Sequence, residues 1–352
     1  MEQRRTSIPV MVGSVRIGGD APISVQTMST VNPAEEAKAI ADARRLAGYG
    51  AELIRFAVPD MAAAKGLAAV VKASPVPVIA DIHFDYRLAL QAVDSGVQGL
   101  RINPGNIGAD DNVAAVVQKV RPKGIPIRIG INTGSLPADI LAAHEGHPTA
   151  DGMVEGALRH IRILEHMDYT NMVISLKASD VPLMIEAYQA LAAKVPYALH
   201  LGVTEAGLVR EGSIKSAIGI GTLLYEGIGD TIRVSLTGDP AEEVKAGQTI
   251  LSSLGLREFG PTLISCPTCG RTQVDLIGLA QQVEQAIADL SVPIKVAVMG
   301  CVVNGPGEAR EADFGIAGGK GKGIVFSHGE VLRTVPEDQL VTSLLEEIHK
   351  SI

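Results

Sequence analysis

Short apolar runs alternate with amphipathic stretches through the first two thirds of the chain, and the two kinds of segment follow each other in strict order. Residues 23–28 and 51–57 read as buried strands, as do 77–82, 98–103, 126–131, 171–176, 197–203 and 231–236. Between them, helical periodicity runs from about 34 to 46, after Asp60, and over 85–95, 109–120, 151–167, 180–194, 206–225 and 240–253. The starts are written in capping residues. Asn32-Pro33-Ala34-Glu35 offers an N-cap, a proline at the first helical position and a carboxylate in the first turn, and Asp239-Pro240-Ala241-Glu242 repeats it. Eight strand–helix units predict a (β/α)8 TIM barrel. A doubly wound sheet would need a glycine-rich phosphate turn after its first strand, and none follows residue 28.

Three stretches depart from this rhythm. Residues 10–20 read as a short hairpin with Val10, Val12, Val15 and Ile17 alternating. Residues 134–150, after the fifth strand, are irregular and carry His144 and His147, which read as polar loop histidines in preference to a metal pair. Beyond Leu254-Gly255 the pattern changes to a strand, a helix at 273–290, a strand at 294–299, glycine-rich turns at 318–323 and a helix at 337–349. We expect two domains: a barrel at 1–255 and a small α/β domain at 256–352.

Composition narrows this. Hydrophobic residues make up 46% but aromatics only 3%, so the core is aliphatic. A net charge of −8 argues against a nucleic-acid binder and means that any cationic cluster runs against the overall trend. The N-terminus leads into no signal-peptide pattern and no long apolar span occurs, which predicts a cytoplasmic protein outside the membrane.

Such a cationic cluster is predicted. The C-terminal ends of barrel strands carry site residues, and here those ends bear Arg55, Asp81, His83, Arg101, Asn103, Arg128, Asn132, Lys177, His200, Thr204, Glu205, Arg233 and Ser235. Five cations from five strands call for a polyanion, and arginine forks match phosphate oxygens in pairs, which suggests a diphosphate. Carboxylates such as Asp81 or Glu205 offer structural pairing for some of them.

All three cysteines lie in the second domain: Cys266-Pro267-Thr268-Cys269 and, after the next strand, Cys301. The first two have the spacing by which one turn brings two thiolates to a metal. Three thiolates leave a four-coordinate site one ligand short. Zinc completed by His328 and an iron–sulfur cluster with one other ligand both fit that count. Glu308 follows the turn 304–307 and is a candidate oxygen ligand.

Together these segments resemble the 4-hydroxy-3-methylbut-2-enyl diphosphate synthase family over nearly the whole chain. The likeness is carried by residues 54–56, 80–84, 101–106, 128–132, 175–177, 199–207 and 233–236, then by Ser265 through Arg271 and Asn304 through Glu308. It implies two-electron reductive ring opening and dehydration of 2-C-methyl-D-erythritol 2,4-cyclodiphosphate to 4-hydroxy-3-methylbut-2-enyl diphosphate. It implies a [4Fe-4S] cluster on Cys266, Cys269, Cys301 and Glu308, and electrons from reduced flavodoxin or ferredoxin. It also implies a diphosphate pocket at Arg55, Arg101, Arg128, Lys177 and Arg233, an essential Glu205, and a head-to-tail homodimer. Substrate binding is further expected at Asp81, Asn103, Asn132, His200, Thr204 and Ser235. The rivals are a non-redox phosphate-binding barrel with a structural zinc module, an aconitase-like hydro-lyase and a pterin-binding barrel.

Overall fold

A computed structural model describes residues 3–103, 106–108, 110–288, 290, 292–301 and 309–352. The apolar runs pair into a closed parallel barrel. A hairpin precedes it, formed by β1 (Val10–Val12) and β2 (Val15–Ile17). The barrel strands are β3 (Ser24–Met28), β4 (Leu53–Ala57), β5 (Val78–Asp81), β6 (Gly99–Ile102), β7 (Ile127–Asn132), β8 (Met172–Lys177), β9 (Ala198–Leu201) and β10 (Thr231–Ile232), and β10 closes the ring by pairing with β3. The helices are α1 (Glu36–Gly48), α2 (Met61–Ala73), α3 (Tyr86–Asp94), α4 (Asp110–Val120), α5 (Ala138–Ala143), α6 (Ala150–Glu165), α7 (Val181–Ala192), α8 (Val209–Tyr225) and α9 (Pro240–Ser253).

Side-chain caps set where these helices begin. Asp60, Asp85, Thr149, Asp180 and Asp239 each accept a hydrogen bond from a backbone N–H in the first turn of α2, α3, α6, α7 and α9. Each such cap is worth about 1 kcal/mol. The expected cap at Asn32 is displaced: its Oδ1 accepts from Ala34 N at 2.9 Å in a turn, and α1 begins only after Glu35. The irregular stretch after β7 contains α5, and His144 is held by Thr149 Oγ1 at 3.1 Å. The eighth strand is short, two residues against the expected six, with Arg233 N–H just beyond it still donating to Leu201 O at 3.0 Å.

The two ends of the barrel differ in chemistry. At the N-terminal end, Val10, Val12 and Ile17 of the hairpin pack on Leu53, Ile79, Val173 and Ala198, plugging the barrel with aliphatic side chains. Two residues further along each strand the same inward-facing rows turn polar. Register places Asp81 beside Arg101 and Arg101 beside Arg128, with Thr231 between Ser24 and His200. Paired residues of parallel strands face the same side. The upper half of this barrel is therefore filled by charge, where barrel interiors are usually Val, Ile and Leu.

The chain divides into two compact units, Met1–Arg257 and Glu258–Ile352. The second is a five-stranded sheet in the order β11 (Thr262–Ser265), β12 (Lys295–Met299), β13 (Phe314–Gly319), β14 (Lys322–Ser327) and β15 (Glu330–Pro336), parallel across the first three strands and antiparallel beyond. Helices α10 (Leu276–Ile287) and α11 (Leu340–Ser351) bury Leu279, Val283, Ile287, Leu344 and Ile348 with Val296, Val298 and Ile316 of the sheet. The stretch expected as glycine-rich turns proves to be mostly strand: Gly318 and Gly319 end β13 and Gly323 lies in β14, around the left-handed Gly321. Among the described residues no helix is long and apolar enough to cross a membrane.

One buried polar pair joins the barrel wall to its outer layer. His160 on α6, 3% exposed, donates from Nδ1 to Asn103 Oδ1 at 3.1 Å just past β6. Burial, with help from Arg159, lowers the His160 imidazole to about 4. The unfolded chain takes up that proton near pH 6.5 while the folded chain excludes it. Stability is thus expected to fall by roughly 1.4 kcal/mol per pH unit as pH drops from about 6.5 towards 4. His160→Asn, which cannot be protonated, should lose this component of the slope in urea melts across that range.

Candidate functional site

Parallel pairing brings the polar ends of β4 to β10 onto one circle. A cavity of about 90 Å³ opens there, lined by Arg55, Asp81, His83, Arg101, Arg128, Gly130, Asn132, Ser175, Lys177, Thr204 and Arg233. Sequence reasoning expected most of these; Ser175 and Gly130 are additions. Asn103 does not line the cavity, since it is bound to His160, and neither His200 nor Ser235 lines it.

Asp81 is the hub of one side. Its carboxylate stands 3.4 Å from Arg55 Nε and 3.2 Å from Arg101 Nη1, with His83 Nε2 at 3.4 Å. Burial opposes its charge, but Arg55, the hydrogen bond from His83 and Arg101 together hold it well below the usual carboxylate range. Arg101 also donates to Gly130 O at 3.2 Å, and a Cβ at Gly130 would lie 2.5 Å from Arg101 Nε. Gly130 is therefore the gap across which Arg101 reaches.

Glu243 is the hub of the other side, and nothing in the sequence singled it out. From the first turn of α9 its oxygens accept from Arg233 Nη2 at 2.7 Å and Nε at 3.1 Å, from Thr27 Oγ1 at 2.9 Å and from Leu236 N at 3.1 Å. Arg233 Nη1 reaches Ser235 Oγ at 2.6 Å. Of the five expected cations, Arg233 is neutralised by a fork-to-fork pair with Glu243, while Arg55 and Arg101 share Asp81. Ser235 serves that arginine, outside the cavity lining.

Between the hubs lie the cations without carboxylates of their own. Arg128 Nη1 donates to Gln26 Oε1 at 2.6 Å, and its Nη2 is buried without a partner among the described residues. Burial first, then Arg55, push its guanidinium down, although an arginine starts high enough to stay charged. Burial and then Arg233, Arg55 and Arg128 press the Lys177 amine well below its usual value. His200 is wholly buried, both ring nitrogens unpartnered among the described residues, and it too is pushed towards the neutral form by burial and by Arg128. Five cations face two carboxylates, so the cavity is shaped and charged for an anion.

Glu205 stands apart from the lining. It is exposed, just past β9, with φ +52, a left-handed conformation that costs a non-glycine residue about 1–2 kcal/mol.

In the second unit the thiols sit at adjacent parallel strand ends. Cys266 follows β11, its N–H donating to Val298 O at 3.3 Å, and Cys301 follows β12, buried. Gly300 N–H donates to Cys266 Sγ at 3.2 Å, and Thr272 Oγ1 accepts from Cys269 N at 3.2 Å. The backbone N–H of Arg271, first among several donors, lowers the exposed Cys269 thiol. Backbone N–H groups aimed at sulfur favour thiolates, the form that binds soft metals. Among the described residues no three His, Cys, Asp or Glu side chains stand close enough to share one metal ion. Glu308, the expected fourth ligand, lies outside the described residues.

Comparison with known proteins agrees across both units. Residues 7–248 match the model of the GcpE TIM-barrel domain and 262–350 that of the GcpE protein C-terminal domain. A Geobacter sulfurreducens protein named 4-hydroxy-3-methylbut-2-en-1-yl diphosphate synthase (flavodoxin) is 54% identical, over 97% of this chain and 96% of its own. Proteins of the same name from Bacillus mycoides and Clostridium tetani are 52% and 53% identical, over 99% and 98% of this chain and 95% and 99% of theirs. Among solved structures, a sialic acid synthetase from Leptospira borgpetersenii superposes with TM-score 0.50 at 13% identity, covering 81% of this chain and 99% of that one, a likeness of fold alone. With both halves matched in order and relatives above half identity along nearly their full length, the chain belongs to the GcpE family.

Proposed function

We propose that this chain reduces 2-C-methyl-D-erythritol 2,4-cyclodiphosphate to 4-hydroxy-3-methylbut-2-enyl diphosphate, opening the ring and releasing water, with reduced flavodoxin as the electron donor. The observation that carries this reading is the cation excess inside the barrel, in a chain whose net charge is −8. A cyclic diphosphate supplies the missing negative charge. The names of the full-length relatives agree in product and donor.

In this reading Arg55, Arg101, Arg128 and Lys177 hold the diphosphate, and Arg233, fixed by Glu243, closes the ring of charge. Their fields are in place before the reaction, so they stabilise the charge that builds on the diphosphate oxygen as the ring C–O bond breaks. Glu205, poised at the mouth in its left-handed turn, protonates the departing hydroxyl. Cys266, Cys269, Cys301 and Glu308 would hold a [4Fe-4S] cluster, which when bound supplies electrons one at a time. The setting is the cytoplasm, where thiols stay reduced.

A homodimer with shared active sites completes the reading. Helix α8 carries Ile214, Ile218 and Tyr225 on one outward face, each more than half exposed, beside Ala217 and Gly221. An uncharged stripe at helical spacing with small residues between lets a second helix approach closely, and the same face on a second copy closes a two-fold.

Anaerobically purified protein should be brown, carry about four irons per chain, and turn over the cyclodiphosphate only when reduced flavodoxin is supplied; a colourless protein with one zinc would support the non-redox rival. Glu205→Gln should keep its KM and lose roughly 10²–10⁴-fold in kcat, and turnover at the full rate would remove Glu205 from the acid role. Ile218→Lys should shift the light-scattering mass from dimer to monomer and abolish turnover. A fully active monomer would contradict the shared site.

A further inference from the structure

Lys177 ends β8 only 7% exposed, and its Nζ makes no hydrogen bond or ion pair among the described residues. Among the described residues no carboxylate stands within ion-pair distance of it; Glu243, already paired to Arg233, attracts its charge less than Arg233, Arg55 and Arg128 each repel it. Arg55 on β4, Arg101 on β6, Arg128 on β7 and Arg233 past β10 are cations. Asp81 on β5 is taken by Arg55, Arg101 and His83. Both oxygens of Glu243 on α9 are taken by Arg233, Thr27 and the backbone of Leu236. Asn132, the register partner of Lys177 on β7, is an amide, and His200 on β9 is buried without a carboxylate beside it. At Gly202 on the neighbouring chain segment a Cβ would stand 2.8 Å from Nζ, so the amine lies against bare backbone there.

The arginines cannot relieve this crowding by losing a proton; a lysine can. An ammonium in this position would be desolvated and repelled from several sides at once, whereas a neutral amine is repelled by none. We propose that Lys177 is an uncharged amine while the cavity holds no anion, and that binding of a diphosphate or similar polyanion brings one proton from solvent to its Nζ. The step is a simple protonation, amine to ammonium, with the anion as the new counter-charge. Affinity then reports proton concentration, and release of the anion returns the proton to solvent. The effect lies in Lys177 and the cation ring and does not depend on the reaction proposed above. Inorganic anions therefore serve as probes, and failure of one idea would not be mistaken for failure of the other.

Titration calorimetry of the full-length holoenzyme with inorganic diphosphate, in two buffers of different ionisation enthalpy near pH 7.5, counts the protons taken up. Wild type should take up about one proton per site more than Lys177→Arg, whose guanidinium is charged throughout. Equal uptake by the two proteins would overturn the proposal. Sulfate, which does not titrate near neutral pH, gives a readout that needs no variant. Its affinity for the wild type should fall about tenfold for each unit that pH rises above the Lys177 midpoint. A profile flat from about pH 6 to 9 would equally overturn it.

Discussion

The structure turns on the cost of holding like charges together inside a barrel. Arg55, Arg101, Arg128, Lys177 and Arg233 converge where barrel interiors are usually aliphatic, and each would be expensive there alone. Two buried carboxylates make the arrangement tolerable. Asp81 ties Arg55 to Arg101 across neighbouring strands, and Glu243 locks Arg233 from the outer helix layer. They stop short of neutrality, and the positive charge left over is what the site offers to a ligand. The aliphatic plug at the opposite end supplies the packing that the charged half gives up.

Asp81 and Glu243 differ in what they secure. Asp81 faces the cavity and shares its charge among three partners, so a ligand can compete for those partners without emptying them. Glu243 spends all its acceptor capacity outside the cavity lining, which fixes Arg233 in one orientation. Lys177 falls between the two hubs and has neither. Preorganisation therefore comes from the arginines, and the adaptable charge from the one cation that can give up its proton.

Much of this was legible in the sequence because parallel strands impose a simple rule: buried apolar runs, capped helices and polar residues at strand ends. The structure brings Arg55, Asp81, Arg101, Arg128, Lys177 and Arg233 from those ends to one cavity. Pairings across the fold were not legible. Glu243 looks like any first-turn helix carboxylate until α9 is laid beside β3 and β10, and Asn103 looks like a mouth residue until His160 is seen to hold it. In the second unit, residues 318–323 read as turns because glycine is a poor strand former, whereas the antiparallel pairing of β13 with β14 carries the ladder through Gly318 and Gly323 and through Gly319 and Lys322. The cysteine spacing points to a metal centre without saying which metal; backbone N–H groups directed at sulfur come from the strand ends and have no sequence signature.

The central claim is that the charged upper half of the barrel is the seat of a diphosphate. A crystal structure of the full chain, grown anaerobically with the cyclodiphosphate, tests it most directly. The account predicts phosphate oxygens within hydrogen-bonding distance of Arg55, Arg101, Arg128 and Lys177, with the Arg233–Glu243 fork intact. Phosphates bound elsewhere on the chain, with those four side chains touching only solvent, would contradict it.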